Sequence, residues 1–216
     1  DGGKRHAEIL RELAKLCTEG TSTIILEEEA LRLIREGGDK PAFLNYKPAG
    51  AKRPFPAALC VSINDEIVHG IPNEAERILQ DGDIVSIDLG LIHKGLITDS
   101  AITVGVGAID DESRELINMT RKALEAGIRE ALPNNTVGDI GEAIDEVVRE
   151  TKFAHAEDLA GHGVGYAVHE DPFVPNFGVK GQGEKLIPGM VIAIEPMLNV
   201  GTGKIKLSKD GYTIKT

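Results

Sequence analysis

Apolar residues recur at helical spacing near the start of the chain, at Ile9, Leu13 and Leu16, and predict a helix through "HAEILRELAKLC". A Glu19-Gly20 break and a Thr/Ser cap follow, and then a second helix through "IILEEEALRLIREGG". The pattern returns later: Leu124, Ile128 and Ala131 lead into Pro133-Asn134-Asn135, and Thr136 caps a further helix with Ile140 and Val148 inside. Between the helix pairs the period changes to that of strands. "IVSIDLGLI" and "LITDSAITV" flank a His-Lys-Gly turn and predict a β-hairpin. Residues 40 to 58, rich in Pro, Lys and Gly, predict an irregular segment.

The two helix pairs match position for position: Ile9, Leu13, Leu16, Thr21, Ile25 and Leu33 against Leu124, Ile128, Ala131, Thr136, Ile140 and Val148. Generic amphipathic helices could produce that much. Two further echoes point to a duplication. "Val68-His69-Gly70-Ile71-Pro72" returns as "Val168-His169-Glu170-Asp171-Pro172", and "GDIVSID" returns as "GMVIAIE", with Gly82 matching Gly189 and Asp88 matching Glu195. The expected architecture is α+β. A single domain over 1–216 would be built from two pseudo-symmetric αβ halves, about 1–105 and 106–216, whose antiparallel sheets meet with the functional groups at the junction.

Composition narrows the function classes. With 216 residues and 41% hydrophobic content the chain can bury a sizeable core. Its apolar runs are far shorter than the roughly 18 residues that span a bilayer, and no signal segment opens it, so a cytoplasmic protein with no membrane partner is expected. A net charge of −11 argues against nucleic acid as a specific partner. Most of the acidity reads as solvated helix face. Cys17 and Cys60 form neither a disulfide framework nor a zinc motif and read as core or pocket thiols.

Candidate chemistry begins with Asp88 and Asp99, one on each strand of the hairpin. A turn on His93-Lys94 sets them directly opposite on one face, where like charges repel. A bulge at Gly95 would put them on opposite faces. Backbone N–H groups or arginines could satisfy them separately, and a metal could satisfy them together. Glu195 ends the apolar strand "MVIAI" just before Pro196 and echoes Asp88. His162 sits in "AGHGVG", where glycines permit close backbone approach. Three carboxylates and an imidazole suit a pair of divalent ions such as Mn, Fe, Co or Zn, which can hold a water between them and polarise a carbonyl. His69 and His169, related by the repeat, would face the substrate from two sides. His6, His93 and His155 read as core or surface histidines. No phosphate loop, dinucleotide loop or Gly-x-Ser-x-Gly elbow is present.

The motifs "SINDEIVHGIP", "GDIVSIDLG", "TDSA", "GHGVG", "VHEDP" and "VIAIEP" occur in one order over essentially the whole chain. In this the sequence resembles the type I methionine aminopeptidases, metallopeptidases of the M24 type with the pita-bread fold. The resemblance implies that Asp88, Asp99, His162 and Glu195 are ligands of a two-metal centre, with Asp99 touching both ions and Glu195 helping to activate the water. It implies that His169 stabilises the tetrahedral intermediate and His69 positions the peptide. Phe55, Cys60 and Tyr212 would line the pocket for the methionine side chain. The substrates would be peptide N-termini and nascent chains with a small second residue, and the protein a monomer. Val168 and Tyr212 stand where many relatives carry an aromatic residue and a Trp.

The family's fifth ligand, a Glu on a strand after "DGYTIKT", is absent from this chain, which reads as cut at both ends; weak metal binding and poor activity are expected of it without that strand. Asp210, in a Lys-Asp-Gly turn, is not expected to substitute. Two alternatives are an Xaa-Pro-directed metallopeptidase of the same fold, against which "VHGIP" speaks, and a non-catalytic peptide-binding protein. Peptide choice separates the first and metal content the second.

Overall fold

The helices form where the periodicity places them. In the computed structural model, which describes residues 1–216, α1 spans Gly2–Leu16 and α2 spans Thr23–Glu36. Ser22 caps α2 by accepting from the Ile24 N–H. A short β1 (Lys40–Pro41) precedes the irregular segment. Then come β2 (Leu59–Ile63), β3 (Glu66–Val68), β4 (Ile84–His93) and β5 (Leu96–Gly105). The second part contains α3 (Asp111–Glu130), α4 (Val137–Val148), β6 (Phe153–His155), β7 (Gly161–Gly163), β8 (Glu170–Val174), β9 (Ile192–Ala193) and β10 (Leu198–Val200). Two last strands, β11 (Lys206–Leu207) and β12 (Ile214–Lys215), return to the first part.

The chain folds as two compact units, one of residues 1–111, 166–168 and 206–215, the other of 112–165, 169–205 and 216. The return of 206–215 to the first unit was not visible in the repeat pattern.

In the first unit β4 is central, pairing β5 on one side and β1 and β2 on the other, all antiparallel. The alternation along β4 divides the sheet. Val85, Ile87, Leu89 and Leu91 are fully buried against a core that includes Leu13 of α1 and Leu26 and Ile34 of α2. Asp88 lies on the opposite face. Glu27 of α2 is buried, and its carboxylate accepts from the Ala58 and Leu59 N–H groups at 2.8 and 2.9 Å.

In the second unit β7 lies between β8 and β9, and β6 pairs β10. Its core gathers Ile140, Ile144 and Val148 of α4 with Phe153, Val174 and Leu198. Thr136 caps α4 in a reciprocal capping box, Asp139 accepting from both the Thr136 N–H and its hydroxyl. The same carboxylate accepts from the Gly181 N–H at 3.1 Å and so ties the 178–186 loop to the helix.

The Thr136 hydroxyl first, and then the two N–H groups, hold the Asp139 carboxyl below its ordinary value. A depressed acid stabilises the fold above the unfolded value and loses that contribution as pH falls through the folded one. Asp139→Asn is expected to lower stability by about 1–2 kcal/mol at pH 7. The gap from wild type should close below the ordinary carboxylate range, as read from urea midpoints across pH.

Two expected core positions face solvent. Ile25 is 50% exposed and Ile128 53%. α3 instead turns the small residues Ala123, Ala126 and Gly127 inward, and a Cβ at Gly127 would sit 3.0 Å from Ile144 Cδ1. Close approach of the helices thus selects the small face over the one carrying Ile128. The second-unit counterpart of β4 is also shorter than expected: β9 covers only Ile192–Ala193, so Glu195 lies beyond its end.

Backbone bonds of one pattern occur in both units. Leu79 and Thr23 donate to Thr21 and Arg77 in the first, while Leu186 and Val137 donate to Asn135 and Glu184 in the second. Asp83 donates to Gln80 as Met190 does to Ile187.

Candidate metal and substrate site

The hairpin turns on Lys94-Gly95, with φ of 50° and 84°, and not on His93-Lys94. Positive φ at both central positions is the tight hairpin turn that matches strand twist, and glycine in the second position favours it. The register moves accordingly. Asp88 pairs with Ala101 and Asp99 with Gly90, which corrects the directly opposed placement. The aspartates remain on one face as diagonal neighbours, a spacing of roughly 7–8 Å between Cα atoms that eases their repulsion. Both are half-buried.

Cys60 of β2 lies opposite Asp88 across the strand pair. Burial first, and then the negative charges of Asp88, Asp99 and Glu27, push its thiol well up, so it stays protonated. Phe55, Cys60 and Tyr212 share one apolar cluster with Phe43, Ile71 and Val168. The Phe55 and Tyr212 rings meet edge to face, with centroids 5.1 Å apart. His69, after β3, has φ of 60°, a left-handed conformation uncommon outside glycine.

In the second unit, β7 is the Gly-His-Gly of "GHGVG". A Cβ at Gly161 would sit 2.1 Å from the Ala193 carbonyl oxygen, and one at Gly163 2.1 Å from that of Asp171. Only glycine lets the neighbouring backbones close on both sides of His162. Its Nδ1 lies 2.8 Å from the Gly163 carbonyl oxygen, which can only accept, so Nδ1 carries the proton. In its neutral form the ring presents a lone pair at Nε2. That atom stands 3.0 Å from Glu195 Oε1, a buried oxygen that receives no hydrogen bond. In that form two acceptors face one another, an arrangement that a shared cation satisfies, so these residues fit a divalent metal. The His169 ring packs edge to face on His162, centroids 4.4 Å apart.

The structure thus joins His162, His169 and Glu195 in one unit, and Asp88, Asp99 and Cys60 in the other. No group of three or more metal-competent side chains gathers within either unit. Asn176, which the sequence did not single out, is buried and donates from Nδ2 to the Glu195 carbonyl at 2.7 Å. Asp210 accepts from the Tyr212 and Thr213 N–H groups of its own turn. The remaining histidines have structural partners: His6 with Thr98 at 2.8 Å, His93 with Asp39 at 2.7 Å and His155 with Asp145 at 3.0 Å. Burial pushes His6 down to about 4.

The profile of metallopeptidase family M24 matches residues 1–214. A methionine aminopeptidase from Aquifex aeolicus is 47% identical over 213 residues, covering 97% of this chain and 82% of that protein. One from Clostridium perfringens is 42% identical over 214 residues, covering 99% and 83%. The crystal structure of methionine aminopeptidase from Thermotoga maritima superposes with a TM-score of 0.93 at 38% identity, covering all of this chain and 84% of that one. An Xaa-Pro dipeptidase from Bacillus anthracis, at 19% identity and a TM-score of 0.74, shares the fold alone. The chain belongs to metallopeptidase family M24, on its methionine aminopeptidase branch. It has the α+β fold of those enzymes, and membership implies dependence on divalent metal. No helix is long and apolar enough to cross a membrane.

Proposed function

We propose that this protein removes the N-terminal methionine from peptides and nascent chains whose second residue is small, using two divalent ions held by Asp88, Asp99, His162 and Glu195. The observation that carries the reading is the His162–Glu195 contact, with Nδ1 engaged by a carbonyl and Nε2 presented to a buried carboxylate oxygen. When bound, the ions supply Lewis acidity toward the scissile carbonyl and the attacking water. Glu195 accepts a proton from that water at its carboxylate. His169 donates to the carbonyl oxygen as negative charge builds there, and His69 orients the peptide beyond the scissile bond. Phe55, Cys60 and Tyr212 receive the methionine side chain, and the protonated Cys60 thiol adds no charge to that pocket. The protein is proposed to act in the cytoplasm as a monomer.

The test follows release of methionine from Met-Ala-Ser by the full-length gene product, before and after chelation, with metal content measured in parallel. Activity is expected to vanish on chelation, to return with Mn or Co, and to accompany about two ions per chain. An Xaa-Pro dipeptide should remain intact. Absence of bound metal together with tight peptide binding would overturn the reading in favour of a non-catalytic binder.

A further inference from the structure

We infer that Arg53 is a positioning residue that fixes the aromatic wall of the methionine pocket, an inference that rests on the assignment of Phe55 and Tyr212 to that pocket. Phe55 belongs to the irregular segment between β1 and β2, where regular pairing is scarce. Two backbone bonds close its 47–54 loop, Asn45 N–H to Phe55 and Phe55 N–H to Tyr46. A side chain at the end of this loop supplies the longer reach.

The Arg53 guanidinium forks onto the Glu74 carboxylate, with Nη2 to Oε2 at 2.7 Å and Nη1 to Oε1 making the second arm. Nη2 also donates to the Asp210 carbonyl at 3.1 Å, and the guanidinium carbon lies 5.9 Å from the Tyr212 ring centroid. In return the Tyr212 hydroxyl donates to the Arg53 carbonyl at 2.5 Å. Asn73 adds a second tether, donating to the Pro56 carbonyl at 3.0 Å. The connections continue inward: Asp210 accepts from the Thr213 hydroxyl at 2.7 Å, and that oxygen lies 3.3 Å from the His69 carbonyl oxygen. Arg53 therefore joins three segments distant in sequence, and two of them carry residues of the pocket wall.

Arg53 and Glu74 are each 39% exposed, and an isolated ion pair so placed would add little to stability. Its geometry matters more than its strength. A bidentate fork with a third bond to a backbone carbonyl fixes direction, which a lysine cannot do. Losing it would free Phe55 and the Tyr212 ring to shift without unfolding the sheet. The effect should fall on substrate binding and leave the chemical step alone.

The experiment compares Arg53→Ala, Arg53→Lys and Phe55→Ala in the full-length protein, reading kcat, KM and melting midpoint with Met-Ala-Ser. Arg53→Ala is expected to raise KM about tenfold with kcat within about twofold, and Arg53→Lys to recover part of the loss. Phe55→Ala should raise KM at least as much. A wild-type KM in Arg53→Ala beside a raised KM in Phe55→Ala would overturn the clamp and leave the pocket intact. A fall in kcat and melting midpoint at constant KM would likewise overturn it, as the mark of a merely structural residue. A wild-type KM in Phe55→Ala would overturn the pocket assignment itself.

Discussion

Glu195→Gln is expected to lower kcat for Met-Ala-Ser by about 1,000-fold, with KM changed by only about threefold and about one metal ion fewer retained. The substitution keeps the shape of the side chain and removes its charge. The Glu195 backbone is held by Asn176 and is not disturbed. At the end of the side chain, however, an amide can turn an N–H toward His162 Nε2, which now lies 3.0 Å from a carboxylate oxygen. A hydrogen bond between amide and imidazole would then occupy the lone pair that a cation needs. The proton acceptor for the attacking water is lost as well. Because the fold is retained, the melting midpoint of the metal-free protein should match wild type. A kcat within tenfold of wild type would remove Glu195 from the chemistry.

Glu27→Ala is expected to lower stability by about 3–5 kcal/mol, seen as a fall of about 10 °C in melting midpoint. Two buried N–H groups, of Ala58 and Leu59, lose their acceptor, and a cavity replaces the carboxylate. These residues lead into β2, which carries Cys60 in register with Asp88, so loss of the anchor should also loosen the pocket. Burial outweighs the two N–H groups and raises the Glu27 carboxyl above its ordinary value. The sign of the pH dependence follows: the folded state binds the proton more tightly, so Glu27 costs stability as pH rises from the ordinary to the raised value. Glu27→Gln should abolish that decline. An unchanged pH profile in Glu27→Gln would show that the carboxylate is better solvated than its burial implies.

What the sequence disclosed was mostly local. The caps at Ser22 and Thr136 lie within a few residues of the groups they serve; Thr136 is where pattern placed it, whereas the repeat matched it to Thr21 and the first cap falls one residue on, at Ser22. The motif histidines and acids stood out because apolar or glycine neighbours left them few bland roles. The hairpin register depended on one detail of turn chemistry, glycine at the second central position, and moved with it. Glu27 hid among three consecutive glutamates that read as a solvated face. Asn176 and Arg53 act on partners far along the chain, and no periodicity announces such pairs. Ile128 misled because α3 turns its small residues inward, and Ile25 because its neighbour Leu26 takes the inner position on α2.

The return of residues 206–215 to the first unit also bears on how the protein is made. β12 pairs with β3, Ile214 beside Val68, across the whole of the intervening unit. As the chain leaves the ribosome, β2 to β5 can assemble by short-range closure long before β12 exists, whereas the β3–β12 pairing must wait for an entire second core to be synthesised. Tyr212 travels with that late segment. The helices and hairpin of the first unit can therefore form early, whereas Tyr212, proposed to wall the methionine pocket, takes its place only after the second unit has been made.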